Sequence, residues 1–389
     1  MIGRAPHDTA PPGGAERGGA TWLLIAAGAN LAALYALMST RMPLARYFPG
    51  EGVTVAFPGM LGPNWQRNAA LYVVVVVAAF AWFALAVAVV WRRRAMSRRL
   101  LLGFTVVFFL ALFWMYPPTS MDLFHYQADA RTMWVYGQNP LVVAPSANSY
   151  PIAIVWAEQP SPYGPLWSLL TFFATAPFGE GYLASLYAFK ALVAVFFAGC
   201  LWLIYRIARD VRPGWEWVAV VLFAWNPFVV IRTFGNGSND LVMMFFALLA
   251  LERLRRRDWL VAFWALAASL LVKYVTAVLV PLALLYAWRH IEGDVFRRAR
   301  SLLPGTIAGI LMVVVCYLPF WDGRATLETL QRQANNHMVT SIPTLVWVRL
   351  LPLMSPDDAT AVSLRLTRAL YLALYLPLLW QARRDFGRL

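Results

Sequence analysis

The feature that most constrains this chain is a repeated alternation of long apolar runs and arginine clusters. The clusters are Arg92–Arg94 with Arg98 and Arg99; Arg206, Arg209 and Arg212; Arg253 with Arg255–Arg257; Arg289 with Arg297, Arg298 and Arg300; and Arg383, Arg384 and Arg388. Between them lie stretches that reach or approach the roughly 20 apolar residues needed to cross a bilayer. Only 13% of residues are charged and 60% are hydrophobic, whereas a soluble domain carries about 25% charged residues. The pattern predicts an all-α, polytopic membrane protein. Lys190 and Lys273 are the only lysines, so the net charge of +14 is almost entirely arginine. Because those arginines fall in the turns, they read as topology signals, and no nucleic-acid partner is expected.

Positive residues stay on the cytoplasmic side. Placing all five clusters inside predicts about ten transmembrane helices, at about 21–40, 69–91, 100–116, 182–205, 215–233, 239–252, 259–272, 275–288, 302–320 and 362–382, with both termini inside. Residues 1–20 are rich in Pro, Gly and Ala and read as a disordered tail, leaving 21–389 as a single transmembrane domain. The run Thr21–Thr40 is long for a signal peptide, lacks a clear cleavage site and reads as a retained helix. Two further apolar stretches, 163–177 and 344–356, would invert the arginine pattern if they crossed. They are expected as interfacial or re-entrant helices on the outer face. The outer surface then holds 117–181, 234–238, 321–361 and the turn at Lys273. Cys200 and Cys316 lie inside apolar runs and read as buried or lipid-facing thiols, not as a disulfide.

The long outer loop contains Thr119-Ser120-Met121-Asp122-Leu123-Phe124-His125-Tyr126-Gln127-Ala128-Asp129-Ala130-Arg131. Asp122, His125, Tyr126 and Asp129 fall at i, i+3, i+4 and i+7, one face of a helix that should stop at Gly137. Thr119-x-x-Asp122 also reads as a capping box with the carboxylate at N3, which would hold a catalytic carboxylate in place. Pro160, Pro162 and Pro165 around Tyr163-Gly164 predict a rigid turn feeding a short helix. Asn226-Pro227 predicts a kink, and Gly235 to Asp240 a tight polar turn at the membrane boundary. There Asp240 is a functional candidate, with capping by Ser238 or Asn239 as the plain alternative. Lys273 stands alone between two apolar halves, where snorkelling is the plain alternative; Lys190 lies two turns inside its helix, where snorkelling is harder. Arg324, Arg332, Asn335, Asn336 and His337 either line an outer site or form a solvated loop.

Together these residues describe an outward cavity with a carboxylate over the membrane surface and cations at headgroup depth. It suits a substrate with a lipid tail and a phosphate. A hydroxyl nucleophile needs a carboxylate as base, and a departing phosphate needs Lys or Arg to stabilise its growing charge. A transporter or flippase of a lipid-linked sugar would use the same cations without needing Asp122 as a base.

At 117–141, 160–170, 224–243 and 270–281, in that order, the chain resembles the GT-C superfamily of integral membrane glycosyltransferases. The branch it resembles is the polyprenol-phosphate-mannose-dependent α-(1→6)-mannosyltransferases. The resemblance covers about 100–290. It implies a GT-C-like bundle with interfacial helices in the first long extracytoplasmic loop and a multi-pass protein of the plasma membrane. It also implies a polyprenyl-phosphate sugar donor, most simply mannose, and a glycan or glycolipid acceptor. Another sugar or a protein acceptor remains open at this stage. The resemblance implies Asp122 as the base of an inverting transfer. Lys273, with Lys190 or Arg232, would steady the phosphate. His125, Tyr126, Asp129, Arg131, Tyr163, Asn239, Asp240 and His337 would contact sugar or acceptor. Relatives often carry His-Asn-Asp where this chain has Ser238-Asn239-Asp240, so the role of position 238 is not carried over. No cofactor is required, and a divalent metal near Asp122 is left open.

Overall fold

The structure is a computed structural model and describes residues 14–47, 60–62, 64–150, 154, 156–326, 328, 331 and 342–384. It is all-helical, with no strand among the described residues. The chain divides into two compact units. The first takes Met1–Phe124, Pro151–Ala153 and Gly181–Ser238; the second takes His125–Tyr150, Ile154–Glu180 and Asn239–Leu389.

In the first unit the helices Gly14–Arg41, Trp65–Arg93, Arg98–Phe113 and Tyr182–Val211 follow the apolar runs. The first of them starts inside the stretch expected as a disordered tail. Its core is aromatic: Tyr35 meets Phe108 edge to face at 5.3 Å, Phe108 meets Trp225 at 5.6 Å, and Phe197 packs on Phe234 at 4.8 Å. Gly28 permits this closeness, since a Cβ there would come within 2.6 Å of the Phe104 ring. The segment leaving Arg98–Phe113 is pinned by a short bridge, Leu44 N–H to Trp114 O and Tyr116 N–H to Met42 O, both 2.7 Å. The expected kink is present. Glu216–Ala224 and Pro227–Gly235 are bent by 51°, because the Asn226 side chain caps the Phe228 N–H and Pro227 restarts the helix. That second piece ends in a π-turn, Ile231–Gly235.

The second unit holds Asp240–Arg255, Trp259–Val272, Leu279–His290, Val295–Tyr317, Ile342–Leu350 and Pro356–Arg384. Gly305 and Gly309 let Val295–Tyr317 lie directly on Trp259–Val272. A Cβ at Gly305 would stand 2.5 Å from the Trp259 carbonyl, and one at Gly309 would stand 3.3 Å from that of Phe263. Small residues spaced by four allow such close helix contact.

Among the described residues, five helices are long and apolar enough to cross a membrane, or six if the bent pair is one span. The other expected spans are helices too, but short: Arg98–Phe113 and Asp240–Arg255 have 16 residues, Trp259–Val272 has 14 and Leu279–His290 has 12. By length alone they fall short of the roughly 20 residues a crossing takes, so the fold does not establish the count of ten. The stretches 163–177 and 344–356 appear as short helices, Pro165–Leu170 with Phe172–Thr175, and Ile342–Leu350. Cys200 and Cys316 are buried and are not joined in a disulfide.

Candidate active site

In the first unit, the path to Asp122 is set by two polar contacts. The Thr119 N–H donates to Asn236 Oδ1 at 3.2 Å, and Asn236 Nδ2 donates to Thr119 Oγ1 at 2.7 Å. Thr119 also meets the Tyr72 hydroxyl, which lies within electrostatic range of Arg232. This corrects the capping-box reading. The Thr119 side chain is held by Asn236, and the helix begins at Asp122 itself, not two residues earlier. Ser120 Oγ instead accepts the Asp122 N–H at 3.4 Å. Asp122 is half-buried, and its carboxylate has no hydrogen-bond or ion-pair partner among the described residues.

Lys190 is fully buried. Its ammonium donates to the carbonyls of Leu112 (3.3 Å), Phe113 (3.0 Å) and Met115. These include carbonyls left unpaired where Arg98–Phe113 ends, so Lys190 closes that helix and fixes the exit toward Asp122. Gly237, at φ 69°, passes over it; a Cβ there would stand 3.3 Å from Lys190 Cγ and 3.0 Å from Leu123. Arg232 is half-buried in the π-turn.

The helix Asp122–Trp134 continues into the second unit and ends before Gly137, at φ 65°. There His125, Tyr126, Asp129 and Arg131 are all buried. Tyr126 is a hub. Its hydroxyl donates to Asn239 Oδ1 at 3.0 Å and accepts the Asn239 N–H at 3.3 Å. Its ring meets Tyr163 and Trp167 edge to face, each at 4.9 Å. Lys273 Nζ lies 5.6 Å from the Tyr163 ring centroid and pairs with Asp240 Oδ1 at 2.5 Å. Capping of Asp240 by the side chain of Asn239 is not found: Tyr126 takes that amide oxygen. The Lys273 ammonium is thus held by a carboxylate in a partly exposed pair.

Lys273 sits where Trp259–Val272 stops, in extended conformation (φ −147°, ψ 125°), before a 3-10 turn, Tyr274–Val278. The Tyr163-Gly164 turn docks on this break. The Gly164 N–H donates to Val272 O at 3.1 Å, and a Cβ at Gly164 would come 2.1 Å from Leu271 O. Only glycine fits there. All four sequence stretches that carry the family resemblance thus contribute to one cluster: Tyr126, Tyr163-Gly164, Asn239-Asp240 and Lys273.

Two other expected contact residues have different surroundings. Arg131 is buried, grips both carboxylate oxygens of Glu180 at 3.0 and 2.9 Å, and donates to Gly179 O at 2.7 Å. This anchors the loop end in place. Asp129 is buried beside Ser161, and its Oδ2 has no hydrogen-bond partner among the described residues. Burial pushes its carboxyl up to about 7, with the Ser161 hydrogen bond pulling weakly the other way. His337 lies outside the described residues, as do Arg332, Asn335 and Asn336; Arg324 is exposed and pairs with Glu328. The sequence pointed to Thr119 only as a cap, and did not single out Asn236, Gly164 or Trp167 as site-forming. Of these, Gly164 between two prolines and Asn236 in the polar turn carried a visible signal.

The family model described as alpha-(1→6)-mannopyranosyltransferase, N-terminal domain, matches residues 18–289. The chain is also 26% identical over 144 residues to alpha-(1→6)-mannopyranosyltransferase B of Corynebacterium glutamicum, a stretch covering 35% of this chain and 23% of that protein. The match thus spans less than a quarter of that relative's length. No solved structure matches the chain. With the family model running over most of the chain and over both groups of residues just described, the protein belongs to the alpha-(1→6)-mannopyranosyltransferase family.

Proposed function

We propose that this protein moves a mannosyl unit from a polyprenyl-phosphate donor to a hydroxyl of a glycan or glycolipid, with inversion, on the extracytoplasmic face of the plasma membrane. The observation that carries the proposal is the Asp122 carboxylate. It is half-buried at a helix start, reached through a pinned segment and unpaired among the described residues. A general base needs a lone pair free for the incoming hydroxyl and a fixed direction of approach; a carboxylate spent on a salt bridge would have neither.

In this mechanism Asp122 accepts the proton of the acceptor hydroxyl. The new C1–O bond forms as the bond from C1 to the phosphate oxygen breaks, and the polyprenyl phosphate leaves with that electron pair. Lys273 steadies the departing phosphate, which competes with Asp240 for its ammonium; the pair is partly exposed and so within reach of substrate. Arg232 is a further cation for the same charge. Lys190, engaged by three carbonyls, acts by positioning. Tyr126, Tyr163 and Asn239 form the aromatic and amide wall for the sugar, with His125 and Asp129 behind it. Helices Pro165–Leu170 and Ile342–Leu350 lie at the outer membrane surface in this reading. This reading requires no cofactor; the initial rate with and without a divalent-ion chelator decides whether a metal near Asp122 takes part.

The test is to incubate purified protein in proteoliposomes with radiolabelled polyprenyl-phosphate mannose and candidate glycan acceptors. A labelled acceptor product is the expected result. Movement of intact lipid across the bilayer without cleavage of the C1–O bond would replace this reading with that of a flippase.

A further inference from the structure

Two arginine clusters of the first unit meet at one indole. Arg94 follows the helix Trp65–Arg93 in left-handed conformation (φ 54°, ψ 20°). Its guanidinium lies 2.9 Å from the centroid of the Trp215 ring and 5.1 Å from that of Trp91. Arg212, just past the helix Tyr182–Val211, lies 3.7 Å from the same Trp215 ring. Trp91 and Trp215 themselves meet edge to face at 4.6 Å.

An aromatic face attracts a cation but supplies no counter-charge. Neither arginine has a carboxylate partner among the described residues, and Arg94 Nη1 is buried with no hydrogen-bond partner. Lost hydration first, and the Arg212 charge second, pull the Arg94 guanidinium below its ordinary pKa. A buried N–H of a cation left unpaired is costly, so an anion at the clamp would be favoured.

Trp91 also ends an open apolar groove of about 680 Å³ that runs along the same helix against Leu222, with Arg92 at its mouth. Phe80, Phe83 and Val87 line its walls, and the small residues Ala84 and Ala88 leave its floor low. From Phe80 to Arg92 the helix rises about 18 Å. That is close to half of the roughly 30 Å hydrocarbon core, the depth of one leaflet.

We propose that this groove and clamp form a binding site for one anionic phospholipid, with an acyl chain along the groove and its phosphate at Arg92, Arg94 and Arg212. By the arginine rule its leaflet is the cytoplasmic one. Charge complementarity decides the occupant: a zwitterionic lipid brings a cation of its own to a place where two are already crowded, whereas an anionic lipid brings only the missing charge.

The test uses the full chain in detergent, with native mass spectrometry and thermal unfolding in the presence of dioleoylphosphatidylglycerol, dioleoylphosphatidylcholine or undecaprenyl phosphate. One phosphatidylglycerol per chain should bind about tenfold or more tightly than phosphatidylcholine, as expected for charge-assisted hydrogen bonds. It should also raise the melting temperature. The double variant Arg94→Gln with Arg212→Gln should lose that preference about tenfold. Ala88→Trp, which fills the groove and leaves the arginines alone, should weaken binding as well and decides the matter if the arginine variant does not fold. Equal binding of the two phospholipids, or phosphatidylglycerol binding unchanged by the variants, overturns the proposal. Tighter binding of undecaprenyl phosphate than of phosphatidylglycerol overturns it too, by assigning the groove to the isoprenoid phosphate.

Discussion

Asp122 and Asp129 are two turns apart on one helix and meet opposite surroundings. The first is half-buried; the second is buried with an oxygen that has no hydrogen-bond partner among the described residues. Burial raises the folded-state pKa of Asp129 to about 7, above the value near 4 of an unfolded chain. The folded state therefore holds the proton more tightly. Its contribution to stability is full below about pH 4 and is lost as pH rises toward 7. Fully expressed, the loss is on the order of a few kcal/mol. Asp129→Asn should flatten this slope. Melting curves from pH 5 to pH 8 check it: the variant should gain on the wild type as pH rises, and parallel curves would refute the assignment. Lys273→Met removes the ion pair with Asp240 and the proposed phosphate contact; transfer should fall at least tenfold with the acceptor KM little changed. At this scale Asp122, Tyr126, Asp240 and Lys273 were legible in the sequence because ionisable and amphipathic residues at a membrane boundary are rare and need a reason. The pairing of Thr119 with Asn236, 117 residues apart, and of Arg131 with Glu180, 49 apart, was not legible. Such contacts depend on which loops the fold brings together, and nothing local encodes that.

Among the elements, the break at Lys273 and the turn at Gly164 depend on each other. Gly164→Ala would push a Cβ into the Leu271 carbonyl and separate the Tyr163 turn from the helix end that carries Lys273. Overpacking of this kind costs about 1–3 kcal/mol, so thermal unfolding should drop and transfer with it. Lys190→Met should act through stability: it takes the donor away from the Phe113 carbonyl at the end of Arg98–Phe113, at about 1–3 kcal/mol for a buried unsatisfied group. A variant that melts like the wild type yet fails to turn over would return Lys190 to the phosphate. Helix positions and the kink at Asn226-Pro227 could be read from apolar runs and from proline. The role of Lys190 could not, since a cation two turns inside an apolar helix shows only that it needs partners, and those partners are backbone carbonyls of a distant helix.

For the whole molecule, the proposed function requires the 117–181 loop on the outer side, the side that the arginine pattern predicts for it. Both native cysteines are buried, so single introduced cysteines report cleanly. Ala147→Cys, at an exposed site, should react with a membrane-impermeant maleimide added to spheroplasts. Glu292→Cys, exposed between arginine clusters, should react only in inverted vesicles. The reverse pattern would turn the proposed site to the cytoplasm. The central claim, that Asp122 is the base of a mannosyl transfer, is tested most directly by the initial rate of transfer from polyprenyl-phosphate mannose in proteoliposomes, wild type against Asp122→Asn at matched melting temperatures. Removing a general base costs about 10²–10⁴-fold, and a loss in that range is the predicted result; a variant rate within about threefold of wild type would contradict the claim.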